Sequence, residues 1–120
     1  MKALIADDDR MIRTYLRDVL AEAGYAVVEA ADGEAAVATF LRELPDVVFL
    51  DLLMPKLNGF DAMRKIRASS PHTKVALLTA LSDSTASKLG DRAEPDAYLL
   101  KPFKPSQVES VLRQLRPLSS

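Results

Sequence analysis

The chain contains no cysteine, which excludes disulfide bonds and thiolate metal sites and suits a reducing compartment. Its one histidine, His72, stands beside Pro71 ahead of an apolar run and reads as an exposed loop residue rather than a phosphohistidine. Neither sign of charge is in excess. Sixteen Lys and Arg against seventeen Asp and Glu leave a formal net charge of −1, which argues against nucleic acid binding by bulk electrostatics. No apolar stretch approaches the ~18 residues of a membrane span and no signal-peptide pattern opens the chain, so the expectation is a cytoplasmic protein without a membrane partner. Internal repeats, low-complexity tracts and interdomain linkers are also lacking. The 120 residues therefore suit one domain, 1–120, around one core.

What is present is a pattern that keeps switching period. Short unbroken apolar runs occur at Ala3–Ala6, Tyr25–Val28, Val47–Leu50, Val75–Leu78 and Ala97–Leu100. Such runs suit strands of a parallel sheet covered on both faces. Helical spacing lies between them. Ile12, Tyr15, Leu16, Val19, Leu20 and Ala23 follow it up to Gly24, and Val37, Phe40, Leu41 and Leu44 follow it up to Pro45. A third helix is expected after Asn58 as N-cap, with Asp61 in its first turn and Phe60, Met63 and Ile66 buried. The last opens at Pro105 and buries Val108, Val111, Leu112 and Leu115. Residues 82–93 are poor in large apolar side chains and predict a short or mobile helix. Five strands alternating with five helices make an α/β doubly wound parallel sheet.

Ligands of such sheets sit outside the carboxyl ends of the strands. Four loop starts fall there, and they carry Asp7, Asp8 and Asp51, the hydroxyl of Thr79 and the amine of Lys101. Clustered carboxylates repel unless a cation joins them, and Mg²⁺ takes hard oxygen ligands of this kind together with phosphate oxygens. Lys101 is suited to pair with a carboxylate or a phosphoryl oxygen, and Asp is a recognised covalent acceptor.

The stretches "IADDD", "VVFLDLLMPKLNGFD", "LLTA" and "YLLKPF", in that order and spacing, resemble the receiver domain of two-component response regulators. The resemblance covers essentially the whole chain. It implies a flavodoxin-like (β/α)5 fold with strand order 2-1-3-4-5, an order shared with chemotaxis receivers. It implies that Asp51 is the phosphoacceptor, supplied by a sensor histidine kinase or a histidine phosphotransfer protein. It further implies Mg²⁺ held by Asp8, Asp51 and the backbone carbonyl of Leu53, with Asp7 acting through a water. Thr79 and Lys101 match the residues that contact the phosphoryl oxygens, and Tyr98 matches an aromatic switch position. Lys101–Pro102 matches a peptide that is usually cis. Asp9 reads as the residue that starts the first helix. The resemblance implies a signalling switch acting on an effector domain or protein through the surface of residues 82–93, the fifth strand and the last helix. Such a domain is not an enzyme on a separate substrate, although it assists its own phosphorylation and dephosphorylation. Leu53 and Leu81 match positions flanking the path of the hydrolytic water, and two apolar side chains there imply slow loss of phosphate.

Two other functions compete. A phosphatase of the haloacid dehalogenase type would place an acid two residues beyond its nucleophile, where this chain has Leu53. A pseudo-receiver acting only as a protein-binding module would not require the complete set of acids, hydroxyl and lysine.

Overall fold

The computed structural model describes residues 1–80 and 95–115. Five strands run as β1 (Lys2–Ala6), β2 (Ala26–Ala30), β3 (Val47–Asp51), β4 (Lys74–Thr79) and β5 (Ala97–Leu100). Four helices are described: α1 (Arg10–Glu22), α2 (Gly33–Glu43), α3 (Gly59–Ser69) and α4 (Pro105–Leu115). The helix predicted over 82–93 lies outside the described residues. All strands pair in parallel, in the order β2-β1-β3-β4-β5. This is the doubly wound, flavodoxin-like arrangement that the alternating pattern and the resemblance predict.

Alternation along the strands divides the core between the two faces of the sheet. Ala3, Ile5, Val47, Phe49, Ala76, Leu78, Ala97 and Leu99 pack against Leu16 and Leu20 of α1 and Val108, Val111, Leu112 and Leu115 of α4. On the other face, Leu4, Ala6, Val48, Leu50, Val75 and Leu77 meet Ala36 and Phe40 of α2 and Phe60, Met63 and Ile66 of α3. The central strands are thus apolar on both sides, which is why their runs show no alternation.

The predicted caps form. Asp9 accepts a hydrogen bond from the Met11 amide at 2.9 Å, and Asn58 accepts one from the Asp61 amide at 2.9 Å. Gly24, at φ +95°, follows the end of α1 in the left-handed conformation that glycine adopts without strain. Two expectations differ. The strand expected at Tyr25–Val28 begins one residue later and extends to Ala30, and it is only partly covered because it is the sheet edge. Leu41 and Leu44 are exposed rather than core-facing. Leu41 lies about 100° around the helix from the buried Phe40. The helix ends at Glu43, so Leu44, at φ +49°, turns outward.

Candidate functional site

The carboxyl edge of the sheet gathers the residues that the sequence places there. Asp7 follows β1 and is fully buried, whereas its neighbour Asp8 is exposed. Asp51 ends β3 and Thr79 ends β4, both buried. Lys101 follows β5 and reaches across the strands. Its Nζ lies 2.8 Å from Asp7 Oδ2 and 3.3 Å from Asp51 Oδ1. The backbone locks the same strand ends together. The Lys101 amide donates to the Thr79 carbonyl at 2.8 Å, and the Leu52 amide donates to the Leu78 carbonyl at 2.8 Å. Lys101–Pro102 is cis. Asp51, Leu52, Leu53, Thr79, Ala80 and Lys101 line a cleft of about 190 Å³.

The carboxylates of Asp7, Asp8 and Asp51 converge, each offering an oxygen within 4.8 Å of the others. Burial, with the negative charge of Asp7 adding to it, pushes the Asp51 carboxyl up from 3.8 to about 6, although the Lys101 ammonium pulls the other way. Burial also works against the Lys101 cation. The close approach to Asp7 and the negative charge of Asp51 outweigh it and hold Lys101 above its ordinary value.

Asp7 is held on every side. Its Oδ1 accepts the Asp9 amide at 2.9 Å, and its own amide donates to the Ala30 carbonyl at 3.2 Å. Its carbonyl accepts Arg13 Nη1 at 2.6 Å, a contact that no sequence motif marks. Its Oδ2 has the close Lys101 charge but no aligned hydrogen bond. Close backbone packing sets the loop from Asp51 to Gly59. A Cβ on Gly59 would lie 2.5 Å from the Asp51 carbonyl oxygen, and one on Gly33 would overlap the Leu57 carbonyl oxygen.

Of the other predicted residues, the Leu53 side chain is 61% exposed at the cleft edge. Tyr98 is half-buried against the α2–α3 side of the core, in register with Leu77 of β4. Leu81 lies outside the described residues. His72 is exposed, as expected of a loop residue.

Comparison with known proteins gives the arrangement its context. The family model described as "Response regulator receiver domain" matches residues 3–113. The chain belongs to the response regulator receiver domains.

The receiver is 42% identical over 123 residues to a probable transcriptional regulator, ycf27, of Porphyridium aerugineum, covering 99% of this chain and 51% of that protein. It therefore spans about half the length of that relative. The chemotaxis protein CheY4 of Vibrio cholerae superposes with a TM-score of 0.89 at 31% identity, covering 96% of this chain and 98% of that one. The receiver domain of a sensor histidine kinase from Pseudomonas aeruginosa PAO1 superposes at 0.87 with 30% identity over 95% of this chain and 96% of that one. That structure carries a magnesium ion coordinated in its active site cleft. Receiver domains bind Mg²⁺ at an acidic pocket, and the residues here fit such an ion: the donors are all hard oxygens, and the buried Asp7 Oδ2 lacks an aligned donor.

Proposed function

We propose that this receiver is a phosphorylation-controlled signalling switch whose phosphoacceptor is Asp51. The donor is a phosphohistidine on a sensor histidine kinase or a histidine phosphotransfer protein. The reading rests on one observation above the rest: the Lys101 ammonium sits between the Asp7 and Asp51 carboxylates beside an open cleft.

In the transfer, a carboxylate oxygen of Asp51 attacks phosphorus. The bond from phosphorus to the donor imidazole breaks, its electron pair stays on the ring nitrogen, and an acyl phosphate remains on Asp51. Asp51 must be ionised to attack, and the Lys101 charge favours that form. Lys101 then follows the negative charge from the carboxylate to a phosphoryl oxygen, while the Thr79 hydroxyl donates to another. Asp8, Asp51 and the Leu53 carbonyl, with Asp7 through a water, would hold Mg²⁺, which would supply positive charge near the phosphoryl oxygens. Hydrolysis returns the site to its start. Water attacks phosphorus, the bond to the Asp51 oxygen breaks, and inorganic phosphate leaves. The domain thus assists its own modification and acts on no separate substrate.

The signal leaves through movement. Drawing Thr79 toward the phosphoryl oxygens frees space for the Tyr98 ring, and the surface carried by β5 and α4 changes for an effector domain or protein. The chemistry is tested by incubating the receiver with Mg²⁺ and phosphoramidate, a small donor with a phosphorus–nitrogen bond. Intact-mass spectrometry should show one added phosphoryl group in the parent, none in Asp51→Ala and much less in Asp8→Ala. Labelling that survives Asp51→Ala overturns the assignment.

A further inference from the structure

The acidic loop after β1 is braced from outside the site. Arg13, in the first turn of α1, donates from Nη1 to the Asp7 carbonyl at 2.6 Å and from Nε to Glu29 Oε1 at 3.1 Å. Glu29 projects from the edge strand β2 toward α1, on the face where Val27 joins the core. Its second oxygen accepts Arg17 Nη1, one helical turn further on, at 3.0 Å. The Arg13 side chain is only 16% exposed, whereas that of Arg17 is 47% exposed. The two arginines therefore differ. Arg17 only pairs with Glu29, but Arg13 ties β2, α1 and the loop that carries Asp7 and Asp8 into one unit.

We infer that Arg13, oriented by Glu29, is a positioning residue for the phosphorylation site, a strut that fixes the backbone of Asp7 so that the Asp7 and Asp8 carboxylates face Asp51. The inference rests on the metal and phosphoacceptor reading above and adds to it a residue outside the carboxylate cluster. A planar guanidinium is suited to the task because its fixed fork meets a carbonyl and a carboxylate at once, which an ammonium cannot do in the same geometry. Groups that hold metal ligands in place govern affinity without touching the ion.

A point charge and a strut make opposite predictions. As a positive charge near three carboxylates, Arg13 disfavours cation binding, so its removal should tighten the site. As a strut it favours binding, so its removal should loosen it. The experiment follows two readouts in the full chain: Mg²⁺ affinity from amide chemical shifts of Asp8 and Asp51, and hydrogen exchange of the Asp9 amide in the metal-free protein. That amide donates to Asp7 Oδ1 and reports whether the loop is held. Arg13→Met should exchange Asp9 faster and bind Mg²⁺ about tenfold more weakly. Arg13→Lys keeps the charge and should show both effects in smaller degree. Arg17→Met, which removes an ion pair to Glu29 but no loop contact, should leave both readouts at the parent level. Unchanged or tighter Mg²⁺ binding in Arg13→Met overturns the inference, and so does an equal loss in Arg17→Met. If the parent itself fails to bind Mg²⁺, the metal reading falls, and Asp9 exchange alone then sustains or overturns the strut.

Discussion

At the scale of single residues, the site balances the like charges of Asp7, Asp8 and Asp51 against the Lys101 cation. Asp51 is raised from 3.8 to about 6 because it is buried, with Asp7 adding its negative charge and Lys101 opposing. A raised carboxyl pKa means that the fold prefers the protonated form. The contribution to stability is therefore full below about pH 4 and is lost as pH rises through about 6. In metal-free protein at pH 7.5, Asp51→Asn should be more stable than the parent by roughly 2–3 kcal/mol, and the gap should close toward pH 4. Urea unfolding of both proteins across that range measures it. A gap that stays constant from pH 4 to 7.5 would mean that the Asp51 charge is not strained by its surroundings. The acids, Thr79 and Lys101 were legible in the sequence because each stands immediately after an apolar run, so the fold class alone brings them to one edge. Arg13 was not. Its contact with the acidic loop is to a backbone carbonyl, which leaves no trace in a pattern of side chains.

At the scale of elements, the sequence patterns identified the nine elements that the structure describes, and the misses in detail have geometric causes. Periodicity reports which residues are apolar but not which strand becomes an edge, so the partial exposure of β2 and the placement of Glu29 against α1 could not be read from it. Leu41 and Leu44 looked core-facing because helical spacing alone does not fix where α2 ends or how far it is rotated. The tightest packing was invisible for another reason, since it involves a glycine and a backbone oxygen. Gly33 opens α2 against the Leu57 carbonyl in the loop between β3 and α3. In an ordinary helix, alanine is better than glycine by about 0.5–1 kcal/mol. Here the added carbon meets backbone that cannot rotate aside. Gly33→Ala should therefore lower stability by roughly 1–3 kcal/mol, reversing the usual sign. Chemical denaturation decides it, and a variant as stable as the parent would show that α2 and the loop can separate without loss.

At the scale of the whole molecule, the proposed site and the proposed output surface share one five-stranded sheet. Among the described residues no helix is long and apolar enough to cross a membrane. The matched length of about half of the ycf27 regulator places further segments beside the receiver in that relative, while CheY4 is covered almost in full. The receiver therefore matches part of a longer regulator in one relative and nearly a whole chain in the other. Tyr98 stands on β5 opposite Leu77 of β4, two residues from the register partner of Thr79. The most direct test of the switch is a comparison of amide chemical shifts with Mg²⁺ alone and with Mg²⁺ plus beryllium fluoride, which mimics the phosphoryl group. The account predicts shifts at Asp7 to Asp9, Leu52, Leu53, Thr79 and Lys101 that continue through Tyr98 into residues 105–112, all absent in Asp51→Asn. Shifts confined to the loops at the site, with Tyr98 and α4 unchanged, would contradict it.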